Sequence, residues 1–229
     1  MTPRTPGFGA RGRIHKERDM AYIGNNAIEI EPVETDNVGS LGALMLAELP
    51  GCDDLMVRQQ LGYALREFCR ETNACVLEVP VYAECDKHSS QVIPLPSAPQ
   101  DMVVGSVLDV KICGGHVSFK VRDVPYPHIH IVSAYISKGD VVTVRFSAYP
   151  KVGGEMCPTW FKDRYAEAIV AGAMHNLLSM QKRPWSDPVR ATEYGAKYAD
   201  AIAEASYRSL GSSAQGGAEN AIPCGGLFM

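Results

Sequence analysis

The stretch from Cys157 to Arg208 constrains this chain more than any other, because it reads as two helices joined by a rigid elbow. It runs CPTWFKDRYAEAIVAGAMHNLLSM, then QKRPWSDP, then VRATEYGAKYADAIAEASYR. Pro158 and Pro188 both suit the first turn of a helix, where a missing N–H has no partner to lose. Asp187, just before Pro188, is placed to cap the second helix with its carboxylate. Pro184 drives the residue before it out of the helical region, so the spacing predicts that the first helix ends near Gln181–Lys182. Trp185, between the two stops, is expected to wedge under the turn.

The second helix is amphipathic. Ala191, Tyr194, Tyr198, Ala201, Ile202 and Ala205 form one stripe at helical spacing. Arg190, Glu193, Lys197, Asp200, Glu204 and Arg208 form another, with Glu193–Lys197 and Glu204–Arg208 in the favourable i,i+4 order. The first helix differs. After Glu167 it runs AIVAGAMHNLLSMQ without a charge, too short and too polar to cross a bilayer. Such a helix is buried on several sides. A bundle or a neighbouring subunit must cover it, which makes Ala171, Ala173, Met174, Leu177 and Leu178 the candidate subunit-interface residues. An ordinary buried core helix would have the same composition.

At 229 residues the chain can form one large domain or two small ones. Apolar content of 46% and charged content of 21% are ordinary for a globular protein. A formal net charge of -4 exerts no overall pull toward nucleic acid or an anionic membrane. Seven cysteines are scattered without a C-x-x-C pair, a pattern that predicts reduced thiols in a cytosolic setting. Residues 1–19 are basic, but no apolar core follows, which excludes a secretory signal. They read as a solvated tail or a nucleic-acid-binding arm. A third reading starts translation at Met20, with Lys16–Glu17 encoded by a purine-rich ribosome-binding site.

Along the chain, residues 20–37 look extended. A short helix is expected over Ser40–Leu49, capped by Ser40 and stopped by Pro50-Gly51. A longer one is expected over Asp53–Thr72, with Val57, Leu61, Ala64, Leu65 and Phe68 as its buried stripe. The period then changes to two. Leu77, Val79 and Val81 alternate with outward positions, and KIC-GG-HVSFKV predicts a hairpin turning on Gly114-Gly115. HIHIVSAYI and VVTVRFSAYP read as further strands of a small antiparallel sandwich or barrel. The expected class is α+β: a helical bundle with a β-module inserted between helix pairs. The divisions are an arm at 1–37, a first half-bundle at 38–74, the β-module at 75–150, a second half-bundle at 151–209 and a flexible Gly/Ala/Ser-rich tail at 210–229. That tail closes on Leu227, Phe228 and Met229, an apolar end suited to docking.

His128 and His130 share one face of a strand, a spacing that can bind metal, and Cys85 and His88 could join them from a loop. The competing reading is an outer sheet face with Ile129 and Ile131 turned inward, and no third ligand stands at a diagnostic spacing. His175 reads as a hydrogen-bonded core histidine. No G-x-S-x-G, phosphate loop or G-x-G-x-x-G occurs, and no carboxylate pair suggests acid and base. Catalytic residues, metal and cofactor are therefore expected to be none.

Taken in order, QQLGYALREFCRETNA (59–74), the β-module ending RFSAYP (145–150), TWFKDRYAEAIVAGAMHNLLSM (159–180), KRPWSDP (182–188) and AKYADAIAEAS (196–206) resemble the head-to-tail adaptor (connector, or tail-tubular) proteins of tailed bacteriophages. The resemblance spans Leu41 to Arg208. Its most specific pieces are the R-E-F-C helix end and the A-x-x-x-G-A helix followed by the P-W-x-x-P elbow. The Cys157–Pro158 start and the long polar tail depart from the family pattern. The resemblance implies a virion protein of the phage neck or tail, assembled in the host cytoplasm. It implies a homo-oligomeric ring, usually of twelve copies, between the portal protein and the tail tube or nozzle protein, passing double-stranded DNA without sequence specificity and touching no membrane. It further implies that the C-terminal segment, Leu227–Met229 included, reaches the portal. A head-closure or tail-terminator protein, a plain helical interaction module, and a small metal-dependent hydrolase using His88, His128 and His130 are the alternatives.

Overall fold

The computed structural model describes residues 33–82, 92–99, 101–122, 127–132 and 140–218. In chain order these form β1 (Thr35–Asn37), a 3-10 turn (Val38–Leu41), α1 (Gly42–Leu46), α2 (Asp54–Thr72), β2 (Val76–Tyr82), β3 (Val92–Pro94), β4 (Met102–Ile112), β5 (Gly115–His116), β6 (Phe119–Arg122), β7 (His128–Ile131), β8 (Val141–Pro150), β9 (Met156–Pro158), α3 (Thr159–Leu178) and α4 (Pro188–Ala218). The α+β class holds, and every strand pair among the described residues is antiparallel.

Local chemistry sets the helix ends. Asp53 caps α2 by accepting from the Leu55 N–H at 3.4 Å, and Asn73 closes it in the left-handed region at φ 50, as a short polar side chain can. The short first helix departs from expectation. Its cap is Asn37, which accepts from the Gly39 N–H at 2.6 Å, while the Ser40 hydroxyl donates back to the Asn37 carbonyl at 2.9 Å. An Asx side chain bonding two residues on starts the turn earlier and makes it 3-10.

The elbow follows its sequence closely. Asp187 Oδ1 accepts from the N–H groups of Val189 and Arg190, both at 3.1 Å. The Leu178 carbonyl, left over at the end of α3, accepts from the Asp187 N–H at 3.1 Å. The elbow thus satisfies the end of one helix while capping the next. That contact stops α3 at Leu178, a few residues before Gln181. Trp185 is buried under the turn, with the Arg183 guanidinium over its ring at 5.8 Å.

Among the described residues three β-sheets form: β2-β8-β4-β5, β3-β7-β6 and β1-β9. Leu77, Val79 and Val81 of β2 face the core, as do Val142, Val144 and Phe146 of β8. The β4–β5 hairpin turns on Cys113-Gly114, one residue earlier than expected, with Ile112 paired to Gly115. Both turn residues have positive φ, 49 and 85, the geometry of a type I′ turn. β4 bulges between Val104 and Val107. There the Ser106 N–H donates to Ser147 Oγ at 2.9 Å, which explains a buried serine in the middle of β8.

The helices pack across the inserted strands. α3 touches both α2 and α4, as well as β1, β9 and the 3-10 turn. Phe68 of α2 is fully buried against Phe161, Tyr165 and Tyr198, with ring centroids at 6.1, 5.0 and 6.1 Å. Tyr198 donates to the Ala64 carbonyl at 3.0 Å, tying α4 to α2. Two glycines let α3 and α4 approach closely. A Cβ on Gly172 would stand 2.7 Å from the Tyr198 ring, and one on Gly195 would stand 2.8 Å from His175 Nδ1.

α4 does not stop at Leu210, where a flexible tail is expected, but continues to Ala218. The Ser209 hydroxyl bonds the Thr72 carbonyl at 2.8 Å and holds the preceding turn against α2. Elongating an existing helix fixes one residue per hydrogen bond gained, so several small and glycine residues can follow.

Candidate functional site

The five candidate interface residues lie inside the chain's own core. Ala171, Ala173, Met174, Leu177 and Leu178 are each at most 5% exposed. The charge-free run of α3 is therefore covered by this chain's other elements, and the neighbour invoked to explain it is not required. These five residues are corrected to core positions. Leu227, Phe228 and Met229, the candidate portal contacts, lie outside the described residues, as do Cys85 and His88.

Two buried thiols are poor nucleophiles. Burial pushes Cys157 up to about 12, and burial together with a hydrogen bond to Cys75 raises Cys69 well above the ordinary thiol range. Neither presents thiolate near neutral pH. Burial and the nearby Glu67 carboxylate likewise raise the Tyr198 hydroxyl, keeping it a neutral donor to Ala64. His175 is half-buried, its Nδ1 2.8 Å from the Ala191 carbonyl, in keeping with a structural role. The Lys162 ammonium, largely buried, reaches Asp36 Oδ2 at 2.5 Å and Ser40 Oγ at 2.8 Å. It holds the Asp36 carboxyl below the usual range, with the Asn37 N–H assisting. That pair anchors β1 to α3.

The histidine strand is as alternation predicts: Ile129 and Ile131 are fully buried, while His128 and His130 are partly exposed. Cross-strand register puts Lys120 opposite His130 and Arg122 opposite His128. On the other side, Val92 stands opposite His130 and Pro94 opposite His128. Because pairs directly opposite share a face, this outer surface carries Lys120, Arg122, His128 and His130 together. Among the described residues no group of three or more His, Cys, Asp and Glu could hold a metal ion. The sequence singled out the two histidines; the two flanking cations emerge only once register is fixed.

Large exposed apolar side chains sit elsewhere: Leu44, Leu55, Tyr63, Val152, Val189 and Tyr207 are each at least half exposed. No helix among the described residues is long and apolar enough to cross a membrane. No known protein family matches this chain, nor does any curated protein.

Proposed function

We propose that this chain is a structural virion protein, a head-to-tail adaptor that joins a ring of its own copies to a phage portal and lets double-stranded DNA pass. The observation that carries the reading is the order of packed elements. α2 holds the R-E-F-C motif and packs on both α3 and α4, although residues 73–158 separate it from α3 in sequence. The resembling segments thus converge on one helical body, with Phe68 of the first inserted among Phe161, Tyr165 and Tyr198 of the others. We read α1–α4 as the bundle and the four- and three-stranded sheets as the layers of a sandwich. Ile93, Ile129 and Ile131 of one sheet share a core cluster with Val142, Val144 and Phe146 of the other, in support. The portal protein and a tail tube or nozzle protein are the partners so implied. Contacts between copies have to come from surface residues, since the five positions on α3 are occupied internally.

Co-sedimentation with the cognate portal protein tests the reading. The full chain should travel with portal rings, and a chain ending at Ala218 should keep its thermal unfolding midpoint but lose the portal. Failure of the full chain to travel with the rings would remove the adaptor reading. Retained attachment by the shortened chain would remove only the role given to Leu227–Met229. A head-closure or tail-terminator protein would instead bind a preformed adaptor–portal complex or the tail.

A further inference from the structure

The outer faces of the two larger sheets differ in charge balance. On the four-stranded sheet, register sets Glu78 and Asp109 on either side of Arg145, and His116 Nδ1 contacts Asp109 at 2.8 Å. Cations there meet acids. On the three-stranded sheet, Lys120 and Arg122 are exposed beside His128 and His130, and no described acidic side chain occupies that face. Its remaining positions are Val92 and Pro94. A chain of net charge -4 repels polyanions except where such a patch is built.

We propose that this face binds the phosphate backbone of duplex DNA without reading sequence. Lys120 and Arg122 lie two residues apart on β6, about 6.6 Å along the strand, with the histidines one strand away at about 4.8 Å. The two exposed cations on β6 can meet successive phosphates. The Arg122 guanidinium offers paired N–H groups and Lys120 a point charge. Among the described residues no Phe, Tyr or Trp stands on the face, which favours contact with the backbone over stacking on bases. Two fixed cations per copy bind weakly, which suits a surface that guides a moving duplex rather than holding it.

Choosing duplex DNA over other polyanions rests on the adaptor reading; the charge asymmetry does not. Anisotropy of a short labelled duplex, titrated with the full chain over a range of salt, provides the test. Neutralising two phosphates contributes about −1.8 to the slope of log K against log salt. Lys120→Gln/Arg122→Gln should remove that contribution, the charge-conserving Lys120→Arg/Arg122→Lys should retain it, and Lys151→Gln/Lys197→Gln, at exposed cations elsewhere, should leave it unchanged. Equal loss in the Lys151/Lys197 variant, or no slope in the native chain, overturns the proposal. Displacement of the duplex by polyglutamate at equal charge would overturn the choice of DNA in favour of an acidic protein surface. A chain that joins the portal yet lacks the slope sinks this inference alone. One that has the slope but never joins the portal sinks only the adaptor reading.

Discussion

Phe68→Ala should lower the free energy of unfolding by about 3–5 kcal/mol. Phe68 is fully buried where α2 meets α3 and α4, and its ring touches three aromatic rings at once. Deletion removes the transfer free energy of the ring and leaves a cavity that three large neighbours, each packed on other partners, cannot close. Tyr198 is further held by its bond to the Ala64 carbonyl, which limits relaxation. For a chain of this size the loss corresponds to a fall in Tm of roughly 6–20 °C. Calorimetry reads it directly. A midpoint within a degree or two of the native one would mean that the two halves of the helical body are not joined through this residue.

Leu177→Ala separates a core role from an interface role for the charge-free helix. Leu177 is fully buried within a single chain, so its truncation should cost about 2–5 kcal/mol in the monomer. Urea unfolding at several protein concentrations measures this. The native and variant midpoints should differ by the same amount at every concentration. If Leu177 instead faced a neighbouring copy, the dilute monomer would be unaffected and only assembly would weaken. That outcome would restore the neighbour that the fold makes unnecessary.

Much of the helical architecture was legible because local chemistry decides it. Asp53 and Asp187 each act within a few residues of their position, and the structure uses both as helix caps. Alternation in β2, β7 and β8 was equally local, and the buried faces follow it. What failed was non-local. The hairpin moved by one residue because pairing between Ile112 and Gly115 fixes the turn, not the presence of two glycines. The run of α3 after Glu167 can lack charge because this chain's own elements cover it, and a composition cannot say who covers a helix. The roles of Gly172 and Gly195 were invisible for the same reason: each is needed by a ring on the other helix, Tyr198 and His175. The cationic face required cross-strand register, since Lys120 and His130 are ten residues apart in sequence and neighbours only in the sheet.

Native mass spectrometry of assembled portal rings, with and without the chain, bears on the adaptor reading most directly. The chain should add to the ring in whole copies of 24.9 kDa, filling a closed set of equivalent positions. A chain that stays monomeric in the presence of the ring, at concentrations where the portal is fully assembled, would contradict it.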